Sequence, residues 1–312
     1  MTKLVIQIPC YNEEETLLTT LNDLPNQVKG VDSIEVLVIN DGSTDNSEKI
    51  AKTWGAKVLS IKPNKGLANA FRCGLQESLN MGADIIVNTD ADNQYSAKDI
   101  EKLVSPIIKG NADIVIGARD IFNIKEFSIL KKFLQKIGSA VLRLLSTTKV
   151  KDAPSGFRAF SKDAALRLNV FDNYTYTMET LIQAGAKGMK IKSVPISVNT
   201  KLRESKLVKN MFDYIFKSMK TTIRMFIVYR PFRFFITLSF IAGILGLILI
   251  IRFLNFYFIG NGNGHIQSLI FASIFLITSV QLAIIAIIGD LLSINRKLLE
   301  DIQIRIKKLE LK

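Results

Sequence analysis

Cysteine, histidine and tryptophan are nearly missing from this 312-residue chain, which has two, one and one of them. Two cysteines, Cys10 and Cys73, exclude a disulfide-built secreted scaffold and favour a reducing compartment. With no metal-ligand partners near them in sequence, both read as buried small side chains. The lone histidine, His265, sits in a glycine-rich link and reads as a solvated loop residue. No internal repeat or low-complexity tract occurs, and the apolar run at residues 4–9 is too short for a signal peptide. Acidic residues thin out late in the chain: lysine plus arginine against aspartate plus glutamate is 25 to 22 up to residue 200 and 16 to 6 after it. Intrinsic disorder is excluded by 48% hydrophobic residues, and a mean hydropathy of +0.24 is high for a wholly soluble enzyme.

Up to about residue 200, short β-branched runs alternate with longer helical ones, the pattern of a sheet with helices on its faces. Strands are expected at 4–8, 34–39, 57–61, 85–89 and 114–116, and helices at 14–21, 47–54, 66–81 and 97–109. The strand runs are nearly continuous apolar blocks, as parallel strands buried on both faces require. The fold class is therefore α/β with a mostly parallel sheet, of the nucleotide-binding kind. Ligands in such sheets bind where the chain leaves the carboxyl ends of the strands.

Two later segments differ in kind. Residues 234–251 carry no charge, and residues 266–289 have only Gln267 and Gln281 as large polar side chains. At about 1.5 Å per residue, 18 residues cover roughly 27 Å, close to the hydrocarbon thickness of a bilayer. Spans are expected at 234–258 and 266–289, because nothing else in the chain is left to bury two such helices. Arg224, Arg230 and Arg233 precede the first, and Arg296, Lys297, Arg305, Lys307 and Lys308 follow the second. The uncharged link 260–265 is then expected outside, with both termini cytoplasmic at a cell membrane. Between domain and spans, Phe212, Ile215, Phe216, Met219, Ile223, Phe226 and Ile227 recur at helical spacing, with Lys217, Lys220 and Arg224 elsewhere on the wheel. This reads as an amphipathic helix in the membrane interface, with an ordinary core-facing helix as the alternative. The expected division is a catalytic domain at 1–206, an interfacial helix at 207–232, a two-span hairpin at 233–290 and a basic tail helix at 291–312. A weak stripe of Ile294, Leu298, Ile302 and Leu309 in that tail admits a homo-oligomer without specifying one.

The strongest candidate site is Asp90-Ala91-Asp92-Asn93-Gln94 at the end of an apolar strand. Two carboxylates one residue apart, with an amide oxygen two further on, can converge on a hard divalent cation that also takes substrate phosphates. A solvated acidic turn is the plainer reading of the triplet alone. Three further polar clusters end strands: Pro9-Cys10-Tyr11-Asn12-Glu13, Asn40-Asp41-Gly42-Ser43-Thr44-Asp45 and Gly117-Ala118-Arg119. Each could be a cap or a turn. All four on the ligand-binding edge of one sheet are hard to credit to capping.

These motifs, together with Ser155-Gly156-Phe157-Arg158, Val194-Pro195-Ile196 and Ser205-Lys206, resemble family 2 glycosyltransferases. More narrowly they resemble the membrane-anchored branch that contains dolichol-phosphate mannose synthase and bacterial polyprenyl-phosphate glycosyltransferases. The resemblance implies a GT-A type fold, a nucleotide-diphosphate sugar donor, Mg²⁺ or Mn²⁺, and a polyprenyl phosphate acceptor, undecaprenyl or dolichyl, with inversion at the sugar carbon. It implies that Pro9, Tyr11, Asn12, Glu13, Asp41, Asp90, Ala91 and Arg119 bind the nucleotide sugar, and that Asp90, Asp92 and Gln94 hold the metal. Arg158, Arg203 and Lys206 would bind phosphates, and Glu179 would stand near the sugar or orient a basic neighbour. Asp92, Arg119 and Glu179 are the residues it implies for catalysis.

The chain departs from the family pattern in three places. Asn40-Asp41 stands where relatives often have two acidic residues, Tyr95-Ser96 follows the metal motif instead of histidine and proline, and residues 127–135 offer Lys131 and Lys132 in place of an arginine and a serine. Lysine binds phosphate as a point charge without the two-pronged geometry of arginine. The chemistry fits: a lipid phosphate is already anionic and needs positioning more than a base, while the leaving nucleoside diphosphate needs its charge neutralised. Nine lysines and arginines at 201–233, against Glu204 and Asp213, point by their position before a span to anionic headgroups, not nucleic acid. The alternatives are a transferase acting on another lipid-linked glycan acceptor, a processive synthase, and a catalytically inactive membrane adaptor. The synthase is disfavoured because the sole tryptophan, Trp54, is far from any Gln-x-x-Arg-Trp motif.

Overall fold

The structure, a computed structural model, describes residues 1–119, 150–171, 176–200, 211–260 and 262–311, with the backbone alone for 211–218, 262 and 263. It divides into two compact units, Met1–Ile223 with Ile304–Lys312, and Arg224–Gln303.

The first unit is built on seven strands: β1 (Lys3–Cys10), β2 (Ser33–Asn40), β3 (Lys57–Ser60), β4 (Ile85–Asn88), β5 (Ile114–Arg119), β6 (Arg158–Ser161) and β7 (Ile191–Ile196), in the order β3-β2-β1-β4-β6-β5-β7. All five expected strands are present. β6 runs antiparallel to both β4 and β5, and every other pairing is parallel. The carboxyl ends of β1, β2, β4, β5 and β7 therefore share one edge, and the chain entering β6 returns to that same edge. The order reverses between β1 and β4, the switch point at which open α/β sheets bind ligands.

The interior of β1 shows why the sheet holds. Leu4, Ile6 and Ile8 join Leu17, Leu21 and Leu103 in a buried cluster on one face. Gln7 points the other way, and α3 (Leu67–Asn80) packs on β1 at Gly74, where a Cβ would lie 2.7 Å from Gln7 Oε1 and 2.8 Å from Ile39 Cδ1. The helices α1 (Leu17–Asn22), α2 (Ser47–Trp54) and α4 (Ile100–Ile108) complete the first half of the domain. The helix expected at 14–21 starts three residues late, because the Glu13 and Glu14 amides are bound by Ser47 Oγ and Asp45 Oδ2 in a turn. The helix expected at 97–109 opens with a 3₁₀ turn at Ala97–Asp99 before α4. Beyond the expected elements lie α5 (Lys162–Arg167) and α6 (Tyr176–Ala186), with α7 (Met211–Tyr229) in the predicted amphipathic stretch. On α7, Met219 and Ile223 of the apolar stripe are exposed, whereas Thr221, Thr222, Met225 and Tyr229 are buried.

The second unit contains α8 (Pro231–Phe258) and most of α9 (Ile266–Glu310). Both are long and apolar enough to cross a membrane. Their burial runs opposite to that of a soluble core: Ser239, Ala242, Gly246, Ala272 and Ala286 are buried, while Phe240, Ile244, Ile248, Ile277 and Ile288 face outward. Small residues at a helix–helix contact with bulky apolar ones outside is the arrangement lipid favours. Ser239 Oγ donates to Ser279 O at 2.8 Å and Ser279 Oγ donates to Ser239 O at 2.9 Å. A Cβ on Gly246 would lie 3.0 Å from Leu276 Cγ, and one on Gly289 would lie 2.8 Å from Pro231 Cβ. The second apolar segment and the tail helix are one element: α9 runs for 45 residues, with no glycine or proline after Gly289 to stop it. His265, expected to be solvated, is half-buried and stacks on Phe256 with centroids 3.7 Å apart.

Replacing Gly246 by leucine puts a branched side chain against Leu276 and the Ala272 carbonyl. Overpacking of this kind costs about 1–3 kcal/mol, so Gly246→Leu should lower the thermal unfolding midpoint of the protein in detergent micelles. A midpoint equal to that of the native chain would mean the helices do not meet at this glycine.

Candidate active site

Four strand ends supply the expected motifs, and hydrogen bonds between loops hold three of them together. After β1, Asn12 adopts a left-handed conformation (φ 54°) and its Oδ1 accepts from Thr44 N at 2.8 Å, while its amide donates to Ser43 Oγ at 3.0 Å. The loop after β2 is thereby tied to the loop after β1. Thr16 and Thr20 Oγ1 both donate to the Ala91 carbonyl, at 2.9 and 3.0 Å, which ties the β1 loop to the Asp90–Asp92 loop. Pro9 and Ala91 are buried, Glu13 is half-buried, and Tyr11 is exposed.

Asp41 is buried, and its two carboxylate oxygens accept from the Lys65 and Gly66 amides at 3.0 and 2.7 Å. The expected nucleoside ligand is thus also the clamp for the loop entering α3.

Asp90 and Asp92 are half-buried at the end of β4. Asp92 Oδ1 accepts from Gln94 N at 3.1 Å, which closes a tight turn around Asn93 in a left-handed conformation (φ 54°). Burial and the neighbouring Asp92 charge push Asp90 up to about 7, with Glu13 adding to the push and Arg119 opposing it. Two carboxylates of like charge this close together, with hard oxygen donors, suit a divalent cation. Among the described residues no cluster of three or more His, Cys, Asp or Glu forms a metal cage. A cation here would complete its shell with Gln94, water or ligand oxygens.

Arg119 ends β5 and forms a two-pronged ion pair with Asp152, from Nε to Oδ2 at 2.7 Å and from Nη2 to Oδ1 at 3.1 Å. The backbone amide of Arg119 also donates to Asp152 Oδ2, at 3.3 Å. Asp152 is fully buried, and Nη1 lies outside this pair. The arginine is held rigid and still attracts Asp90.

The structure corrects one expected role. Arg158 is not an acceptor-phosphate ligand: its guanidinium is fully buried and donates to the carbonyls of Ala153, Ser155 and Thr177 and to Thr180 Oγ1. The antiparallel course of β6 turns this side chain inward, under the turn it organises. Glu179 is buried as well, and both of its oxygens accept from Phe171 N at 3.0 and 3.2 Å. One helical turn on, Gln183 bonds both the amide and the carbonyl of Asn169, so these side chains together pin residues 169–171. Lys131, Lys132, Arg203 and Lys206 lie outside the described residues.

Sequence reasoning passed over Thr16, Thr20, Asp152 and Asn199. Asn199 Nδ2 donates to Asn93 O at 3.1 Å and Asn199 N to Gln94 O at 2.9 Å, so the chain leaving β7 fastens onto the carboxylate loop. None of the four stands in a motif, and their partners are 33 to 106 residues distant. Only Asp152, an acidic residue three before Ser155-Gly156-Phe157-Arg158, offered a signal.

The strand order and this edge define a nucleotide-sugar-binding sheet of the GT-A type. Residues 5–168 match the model of Glycosyl transferase family 2, and the chain belongs to that family. It is 36% identical over 213 residues to the UDP-N-acetylglucosamine–dolichyl-phosphate N-acetylglucosaminyltransferase of Methanococcus voltae, covering 61% of this chain and 82% of that one. With the undecaprenyl-phosphate mannosyltransferase of Micrococcus luteus it shares 30% identity, over 64% of this chain and 85% of that one. Among solved structures, glucosyl-3-phosphoglycerate synthase from Mycobacterium tuberculosis, bound to Mn²⁺, UDP and glucosyl-3-phosphoglycerate, shares the fold at a TM-score of 0.57 and 21% identity, over 72% of this chain and 79% of that one.

Removing one partner of a buried ion pair strands the other charge, at a cost of roughly 3–5 kcal/mol. Asp152→Ala should lower unfolding stability by that amount in chemical denaturation followed through Trp54. A change below about 1 kcal/mol, the level of a surface pair, would show that Arg119 does not depend on Asp152.

Proposed function

We propose that this chain transfers a sugar from a nucleotide-diphosphate sugar to a polyprenyl phosphate at a membrane surface, with inversion at the sugar carbon. The observation that carries the proposal is the placing of Asp90, Asp92 and Arg119 on one sheet edge, in a chain that also presents two outward-apolar helices. The names of the relatives point to a dolichyl or undecaprenyl phosphate acceptor.

In this reaction an oxygen of the lipid phosphate attacks C1 of the sugar from the face opposite the diphosphate. The C1–O bond to the leaving group breaks and its electron pair departs with the nucleoside diphosphate. The acceptor is already ionised, so no side chain is required to take a proton from it. What the protein supplies is charge stabilisation and alignment. Asp90, Asp92 and the Gln94 amide oxygen would hold Mg²⁺ or Mn²⁺, which neutralises charge on the diphosphate when bound. Arg119, fixed by Asp152, contributes a preorganised cation beside them. Tyr11, Asn12 and Glu13 with Asp41 frame the nucleoside side of the crevice. The chain passes directly from Asn199, bonded to the carboxylate loop, into the stretch that holds Arg203 and Lys206, and these two are the acceptor-phosphate ligands of this proposal, with Lys131 and Lys132.

The membrane side of the proposal rests on charge and on α7. Arg224, Arg230 and Arg233 on one flank and Arg296 and Lys297 on the other favour a cytoplasmic position for both termini of the hairpin. Exposed Met219 and Ile223, with exposed Lys220 and Arg224, suit an interfacial helix better than a core-facing one.

Purified protein incubated with Mn²⁺, polyprenyl phosphate and a panel of radiolabelled nucleotide sugars should label the lipid, and Asp92→Ala should not, at an unchanged melting temperature. Absence of transfer from every donor would overturn the reaction, and full activity of Asp92→Ala would overturn the assignment of the carboxylates. For orientation, a cysteine at Asn263 should react with an impermeant thiol reagent on intact cells. Labelling confined to broken cells would reverse the proposed topology.

A further inference from the structure

Beneath the carboxylate loop lies a polar group of side chains that the proposed reaction does not use. Asn88, the last residue of β4, is fully buried two positions before Asp90. Its Oδ1 accepts from Gln7 Nε2 at 2.9 Å, and its Nδ2 donates to the Gly156 carbonyl and to Tyr176 Oη, both at 2.9 Å. Tyr176 Oη donates in turn to the same carbonyl, at 3.3 Å. On the other side of the residue, Gly156 N donates to Tyr95 Oη at 3.2 Å. Both peptide groups of Gly156 are therefore fixed, by side chains from β4, from α6 and from the loop after Asp92. The two tyrosines are themselves braced: Tyr176 stacks on Phe71 at 3.8 Å and Tyr95 on Phe157 at 5.1 Å.

What this clamp holds is Gly156 against Asp90. A Cβ on Gly156 would lie 3.1 and 3.2 Å from the two oxygens of Asp90 and 2.9 Å from Tyr176 Oη. The Asp90 carboxylate thus has a wall of bare backbone on one side, and no other residue type leaves that space. Asn88 serves both neighbours at once, since the Oδ1 that accepts from Gln7 fixes which way its Nδ2 donates. The distinct contribution of the amides is direction.

We infer that Gly156, clamped by Asn88, Tyr176 and Tyr95, is a positioning residue that sets the orientation of the Asp90 carboxylate for its divalent cation. Gln7 acts one step further back, by fixing which way the Asn88 amide faces. The inference rests on the reading of Asp90 and Asp92 as the cation site. It gives the Ser155-Gly156-Phe157-Arg158 motif two separate duties: Arg158 folds the turn, and Gly156 shapes the space beside Asp90.

The test is Mn²⁺ binding by the full-length protein in detergent with UDP and no sugar donor, read from the free Mn²⁺ signal in electron paramagnetic resonance, with melting temperature measured alongside. Outer contacts to metal ligands typically govern about 10- to 100-fold in affinity. Gly156→Ala should weaken Mn²⁺ by at least about tenfold. Tyr176→Phe keeps the ring stacked on Phe71 and removes only the hydroxyl, and it should weaken Mn²⁺ by a smaller factor. The double variant Gly156→Ala/Tyr176→Phe relieves the 2.9 Å contact with the hydroxyl and keeps the one with Asp90, so its affinity should stay as low as that of Gly156→Ala. Affinity restored in the double variant would place the effect on Tyr176 and overturn the inference. Native Mn²⁺ affinity in Gly156→Ala, with or without a lowered melting temperature, would overturn it as well. If the native protein itself binds no Mn²⁺, the reading of Asp90 and Asp92 falls, and this inference with it.

Discussion

The site depends on one buried cation. Arg158 enters the interior at the start of β6 and gives its hydrogen bonds to Ala153, Ser155, Thr177 and Thr180. Burial pulls its guanidinium down to about 10, yet it stays charged at neutral pH because polar oxygens surround it. A turn wrapped on a buried charge has few alternative conformations, since each lost acceptor would leave a desolvated N–H. From that turn the chain presents Asp152 to Arg119 on one side and Gly156 to Asp90 on the other. The two groups of the site with opposite sign are thus positioned by the same five residues.

The two units of the chain solve the burial problem in contrary ways. In the sheet domain, large apolar side chains such as Ile6, Phe71 and Phe160 go inside and the edge stays polar. In the hairpin, serine, alanine and glycine go inside and the isoleucines and phenylalanines go out. Water makes the first arrangement favourable and would make the second costly. The reciprocal Ser239 and Ser279 bonds satisfy both hydroxyls inside this apolar seam, where an unpaired one would be costly.

Much of this was legible in the sequence, for reasons that can be stated. The parallel strands β1, β2 and β4 are uninterrupted apolar blocks bounded by polar clusters, and a run of that kind has few other readings. The two long apolar helices were legible because 18 consecutive uncharged residues leave few other readings. β6 was not legible: Arg-Ala-Phe-Ser has no alternation, and its first residue is a charge that only the tertiary structure can satisfy. The same blindness misassigned Arg158, since sequence shows that a residue is charged but not which way it faces. Asp152, Thr16 and Thr20 act through partners many residues away, beyond the reach of any local pattern. The change from apolar to mixed composition near residue 290 does not interrupt α9, because helix hydrogen bonding is indifferent to it.

The link between α8 and α9 has a consequence for how the chain is made. Residues 259–265 contain no lysine, arginine, aspartate or glutamate. Moving a charge through hydrocarbon is the main barrier to translocating a loop, and here that barrier is missing. Were the two helices to enter a bilayer as a pair, this link would cross the hydrocarbon without carrying a charge, and the seam of serine, alanine and glycine would already be closed.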